Sequence, residues 1–198
     1  MILLFRTHQG GVAFVTTYPL EVPIFAVLAS TGGLITFTSD RTKGVFEYLI
    51  AYGVRPQSLF VNGLLATVTL AGIILGIALA VGLGLARVAG VPITWDLEQS
   101  LLLYTVPMSF AGALFTATVG MIWTSVSSPR TGMNSPIGFA PMVGIGPTVL
   151  VLIVAETLPS SQFYDFTAGA AVAILGAVVV LLAASSRLMG RERFLSPL

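Results

Sequence analysis

"FTSDRTKGVFEYLIAYGVRP" occupies residues 37 to 56 and places Asp40, Arg41, Lys43, Glu47 and Arg55 between two long apolar runs. The surroundings of this stretch decide the fold. The chain has 198 residues, 56% of them hydrophobic and 9% charged, with a mean hydropathy of +0.97. A water-soluble domain of this size could not cover so much apolar surface with so few polar groups. The composition implies an all-α, polytopic membrane protein in which the quoted charges mark a membrane boundary.

A bilayer core of about 30 Å takes roughly 20 helical residues. Five apolar runs meet that length, near residues 19 to 38, 59 to 86, 101 to 126, 137 to 155 and 167 to 186. The second would be about 42 Å long at 1.5 Å per residue, so it should tilt or project beyond the hydrocarbon. Residues 1 to 18 read as an external N-terminal segment, with Pro19 and Pro23 interrupting any helix that continues from it. The start MILLFRTHQGG does not read as a cleavable signal. Residues 19 to 186 form the transmembrane domain, and 187 to 198 a short cytoplasmic tail.

Lys and Arg are retained on the cytoplasmic side of a membrane. The five-span reading puts Arg41, Lys43, Arg55, Arg130, Arg187, Arg191 and Arg193 on one side and only Arg6 and Arg87 on the other. Seven against two sets the N-terminus outside and the C-terminus inside, in a cell membrane crossed several times. Trp95, Tyr104 and Tyr164 then fall near the outer interface, where amphipathic rings are favoured.

Several function classes are excluded. A net charge of +1 offers no basic excess for nucleic acid. The chain has no cysteine, and its sole histidine is His8, which removes disulfides, thiolate nucleophiles, Cys/His metal sites and a triad built on a buried imidazole. No G-x-x-x-x-G-K-[ST] phosphate loop is present, so the chain does not hydrolyse ATP itself. The reading is a non-enzyme with no catalytic residues and no cofactor or metal of its own.

Within the quoted stretch, Ser39 or Asp40 suits a helix N-cap, and Gly53 followed by Pro56 supplies a stop. Val45, Tyr48, Leu49 and Tyr52 share one face at helical spacing. The pattern predicts an amphipathic helix over 40–53 on the cytoplasmic membrane surface, its apolar face toward lipid or neighbouring spans. Lys43 and Glu47 are spaced i,i+4, a pair that contributes only a few tenths of a kcal/mol when exposed. Helix stability alone does not account for the cluster.

The run Asp40-Arg41-x-Lys43-Gly44-x-x-Glu47-Tyr48-Leu49, followed by Ala51-Tyr52-Gly53-Val54 and a long span, resembles the E/D-R-x-x-G-T-x-E-x-L-L-x-x-P-V segment of ABC type-2 transporter permeases. In that family the segment is an interfacial coupling helix that meets a separate ATP-hydrolysing subunit. Arg41, Gly44, Glu47 and Leu49 carry the match, with Asp40 and Lys43 beside them. The resemblance implies a transport subunit, an exporter by the family's main habit, working as a homodimer or beside a related permease. ATP and Mg would then sit on the partner ATPase. Two departures stand out: only 18 residues precede the first span, where the family has a further helix, and Val45 and Gly53 replace the family's threonine and proline. The alternative reading is a non-ABC helical assembly or structural subunit, for which residues 40–53 are an ordinary charged loop that enforces topology.

Other residues suit a pathway or gate. Glu21 beside Pro23 is a carboxylate near hydrocarbon, which is costly enough to suggest the mouth of a path, although an interfacial glutamate also reaches water. Pro107 in the third span, and Gly146 and Pro147 in the fourth, are expected to kink their helices. Gly72, Gly76, Ala80 and Gly84 recur every four residues, as Gly169, Ala173 and Ala177 do in the last span, and such stripes let another helix approach closely. The loop of residues 127 to 141 is a second polar cytoplasmic element, suited to a soluble partner or simply to a turn.

Overall fold

The computed structural model describes residues 8–88, 90, 105–126, 146–151, 153–154, 157 and 160–188. The main helices are α1 (His8–Thr42), α2 (Val45–Ala51), α3 (Pro56–Val88), α4 (Val106–Val126) and α5 (Ser160–Leu188). A shorter helical piece covers 146–151, and no strand occurs among the described residues. Four of these helices contain stretches long and apolar enough to cross a bilayer: Val22–Thr42, Pro56–Val88, Val106–Ser125 and Asp165–Ser185.

Burial and hydropathy run in opposite orders. The stretch in α4 is the least apolar of the four and the most enclosed, whereas those in α3 and α5 are the most apolar and the least enclosed. A protein folded in water buries its greasiest helices. Here the greasiest helices face outward, the arrangement expected when the surrounding solvent is hydrocarbon. The chain is a helical, multi-pass membrane protein.

Helix α4 packs on α1, α3 and α5, and α1 also packs on α3. Near one end, Leu34 and Phe37 of α1, Phe60 and Leu64 of α3, and Ala117 and Met121 of α4 form one apolar cluster, with Leu182 of α5 against it. Toward the other end, Met108 and Ala111 of α4 meet Ala171 of α5 and Val151, with Phe166 alongside. Thus α1, α4 and α5 run parallel and α3 antiparallel. The 146–151 piece lies against α4, since an added Cβ on Gly112 would stand 2.9 Å from the Thr148 hydroxyl.

Glycine is required where helices approach most closely. A Cβ on Gly33 would lie 2.9 Å from Thr67 Cα and collide with the Thr67 hydroxyl, and one on Gly63 would lie 2.7 Å from the Phe37 ring. Most of the buried hydroxyls with a described bond solve the burial problem locally, donating to a carbonyl one turn earlier. Thr67 donates to Gly63 at 2.9 Å, Thr116 to Gly112 at 2.8 Å and Thr124 to Gly120 at 2.7 Å. Ser109 and Ser125 do the same toward Thr105 and Met121. Such bonds satisfy the polar group without a partner helix and leave the surface small.

Several expectations are corrected. Pro19 and Pro23 do not interrupt the chain ahead of the first span, because α1 runs without a break from His8 to Thr42 and buries Pro23. Membrane helices tolerate proline where neighbouring groups re-satisfy the freed carbonyls. Pro107 stands near the start of the described part of α4, next to Thr105 in a wider π-helical turn, and the turn before Thr105 lies outside the described residues. The small-residue stripe of α3 is used unevenly: Gly72 faces Phe110, whereas among the described residues nothing would lie within 4 Å of a Cβ added at Gly76 or Gly84. The expected span over 137–155 lies largely outside the described residues, as do the loop of 127–141, Trp95, Tyr104 and the tail after Leu188.

Candidate functional site at the elbow between two spans

The charged stretch folds as an elbow rather than as one helix. Its first part, Asp40 to Thr42, is the last turn of α1, so neither Ser39 nor Asp40 caps a new helix. The change of direction falls on Gly44, whose φ of 73° lies in the left-handed region that L side chains avoid. Its N–H donates to Arg41 O at 3.1 Å, closing α1, while its own carbonyl accepts from Tyr48 N–H at 3.1 Å, opening α2. One residue ends one helix and begins the next. Arg41, in the closing turn of α1, carries positive charge where the helix dipole is negative.

The far end of α2 closes with a Schellman motif. Gly53, with φ of 90°, donates to Ile50 O at 3.0 Å, and Val54 donates to Leu49 O at 3.0 Å. Arg55 then supplies the first carbonyl of α3, accepting from Ser58 N–H at 2.9 Å, and Pro56 takes the first helical position, where its missing N–H has no consequence. The expected stop at Gly53 and Pro56 is in place.

Of the two settings expected for the Val45, Tyr48, Leu49 and Tyr52 face, lipid or neighbouring spans, the neighbouring spans take a different side of the helix. Phe46 and Ile50 are the buried pair, at 5% and 1% exposure, and they join the cluster of Leu34, Phe37, Phe60, Leu64 and Met121. Phe37 is the hub, edge-on to Phe46 at 4.9 Å and to Phe60 at 6.4 Å between ring centroids. Val45, Tyr48 and Tyr52 face outward, and Leu49 is half-buried. A helix of seven residues is far below the length that is stable alone, so α2 exists because Phe46 and Ile50 dock it.

The charges separate by exposure. Asp40, Arg41 and Glu47 are half-buried, whereas Lys43 and Arg55 are exposed. Arg41 and Glu47 are close enough for their charges to interact. Glu47 stands in the first turn of α2, where a negative charge is favoured, and its Oε2 is buried without a hydrogen-bond partner, 3.7 Å from where a Gly44 Cβ would lie. The Tyr48 and Tyr52 rings meet at a tilt, their centroids 4.6 Å apart, and the hydrogen bond from Tyr52 raises the Tyr48 phenol above its ordinary value, so it stays neutral at physiological pH.

The elbow end of the molecule also holds the last turns of α5, including Arg187, because Leu182 packs on the elbow cluster. Arg87 and Asp165 stand at the opposite end. The described basic residues therefore group as their spacing implied; Arg6, Arg130, Arg191 and Arg193 lie outside the described residues. The pathway candidates are not brought to the elbow. Glu21 is in α1, its side-chain surroundings lying outside the description. Gly146 is exposed and Pro147 half-buried at the start of the 146–151 piece. Among the described residues no three His, Cys, Asp or Glu side chains converge to hold a metal ion.

A second feature escaped the sequence reading: a hydroxyl-lined interior along α4. Thr38 and Thr124 meet across α1 and α4 at 3.5 Å, and the fully buried Thr118 hydroxyl has no partner. Glycine followed four residues later by threonine, as at Gly63 and Thr67 or Gly112 and Thr116, is the signal that would have found it. No family model, curated protein or solved structure matches the chain.

Proposed function

We propose that this chain is the membrane-spanning permease subunit of an ATP-driven ABC transporter of the type-2 class, an exporter served by a separate ATPase subunit that docks on the elbow. The observation that carries this reading is the mounting of α2. It is short, fixed by left-handed glycines at both ends, and keyed by Phe46 and Ile50 into a cluster shared by three spans. A force applied to α2 reaches α1, α3 and α4 together, which is what coupling requires. The residues of the type-2 resemblance, Asp40, Arg41, Lys43, Gly44, Glu47 and Leu49, all lie on this elbow.

In this reading the elbow end is cytoplasmic, the N-terminus is outside and the C-terminus inside, with a fifth crossing on the return between α4 and α5. The permease works as a homodimer or with a related permease, and ATP and Mg bind only to the ATPase. Affinity purification of the tagged chain from its native membranes in mild detergent tests it. Recovery of a soluble chain carrying a phosphate-binding loop is expected, and its loss on reversing both Arg41 and Glu47 would assign the contact to the elbow. Repeated recovery without an ATPase would sink the proposal and favour an assembly subunit.

A further inference from the structure

Helix α2 is three-sided. At about 100° per residue, Phe46 and Ile50 form one side, Val45, Tyr48, Leu49 and Tyr52 a second, and Glu47 and Ala51 a third. The first side is taken by the bundle. The second presents Tyr48 at 62% and Tyr52 at 74% exposure, their rings in tilted contact. The chain fixes the depth of this helix, because it joins the end of one span at Thr42 to the start of the next at Pro56. A helix at the bilayer edge with one side on the protein has one side left for lipid and one for water. Apolar rings with polar tips suit the lipid side, and the remaining side, with the exposed Ala51 and the half-buried Glu47, is left for water. The exposed charges flanking α2 are Lys43 and Arg55, both cationic, while Asp40 and Glu47 are drawn inward.

We propose that the Tyr48 and Tyr52 side of α2 lies in the lipid headgroup layer, where Lys43 and Arg55 engage anionic phospholipid headgroups. This rests on the membrane assignment and not on the transporter reading. A soluble partner is left with the side of Glu47 and Ala51.

The test uses the full chain without any ATPase, with Trp95→Phe and Trp123→Phe, so that a Tyr48→Trp or Tyr52→Trp substitution supplies the only indole. The variants are reconstituted in vesicles of phosphatidylcholine and phosphatidylglycerol, either lipid being brominated at shallow acyl positions. Leu65→Trp, on the exposed mid-span side of α3, reports insertion and serves as the deep reference. Both elbow indoles should be quenched by shallow brominated lipid and shielded from acrylamide, more strongly with brominated phosphatidylglycerol. Lys43→Gln and Arg55→Gln should each lower that preference about fivefold, the effect of one cation near an anionic surface. Free quenching by acrylamide in a chain whose Leu65→Trp reference is inserted would overturn the proposal, and so would equal quenching by both lipids in every variant. Neither result would bear on recovery of an ATPase, so the two readings fail separately.

Discussion

Helices α4 and α5 are both long enough to cross a bilayer, and they lie side by side, yet 56% of the apolar stretch of α4 is enclosed against 17% for α5. The enclosed helix carries the hydroxyls, Ser109, Thr116, Thr118, Thr124 and Ser125. The open one presents Val172, Val179 and Val180 outward. In water the difference would be a paradox. In lipid it separates two jobs: α4 is the post against which the others pack, and α5 is a wall whose outer face needs no protein partner.

The largest test of this contrast is bulk placed at equivalent glycines. Gly112→Leu on α4 should drive Val27 and Thr148 aside and cost about 3 kcal/mol, the upper range for overpacking, read as loss of monodisperse protein on heating in detergent. Gly176→Leu on α5, where no described residue would lie within 4 Å of an added Cβ, should leave the melting temperature unchanged. Equal damage at both sites would mean that α5 faces protein. Next in size, Phe46→Ala should cost about 3 kcal/mol and release α2 from the α4 cluster, seen as rapid proteolysis between Thr42 and Pro56.

Smaller effects sharpen the account of the α4 hydroxyls. Thr118→Val keeps the shape and removes a buried hydroxyl without a partner, so it should stabilise the protein by about 1 kcal/mol. Thr124→Val breaks the bond to Gly120 and the contact with Thr38, and should destabilise by about 0.6 kcal/mol. Val180→Leu on the open face should change stability by less than about 0.5 kcal/mol. A double variant of Thr118 and Thr124 separates the two hydroxyls, since opposite signs should nearly cancel in the melting curve.

Four of the five expected spans were legible because hydrocarbon demands length and apolarity, and both are linear properties of sequence. The ends of α3, the stop at Gly53 and Pro56, and the grouping of Arg41, Lys43, Arg55 and Arg187 follow from that and from capping rules. The elbow's inner geometry was not legible. Asp40 has the chemistry of a cap, but capping competes with continuing a helix already under way, and α1 wins until Gly44. Seven residues span barely two turns, so period alone could not choose Phe46 and Ile50 over Val45, Tyr48 and Tyr52. Pro23 reads as a breaker only when neighbours are ignored, and the interior it joins is assembled from distant segments.

The hydroxyl bonds inside α4 bear on biogenesis. Because Ser109, Thr116, Thr124 and Ser125 each bond to a carbonyl of their own helix or the residue before it, α4 brings no unmet polar demand to the translocon from those four side chains. It can partition into lipid as a finished segment and wait there for α1, α3 and α5. The order of assembly is then set by synthesis and by shape, with the glycine contacts acting as the lock once all the helices are present.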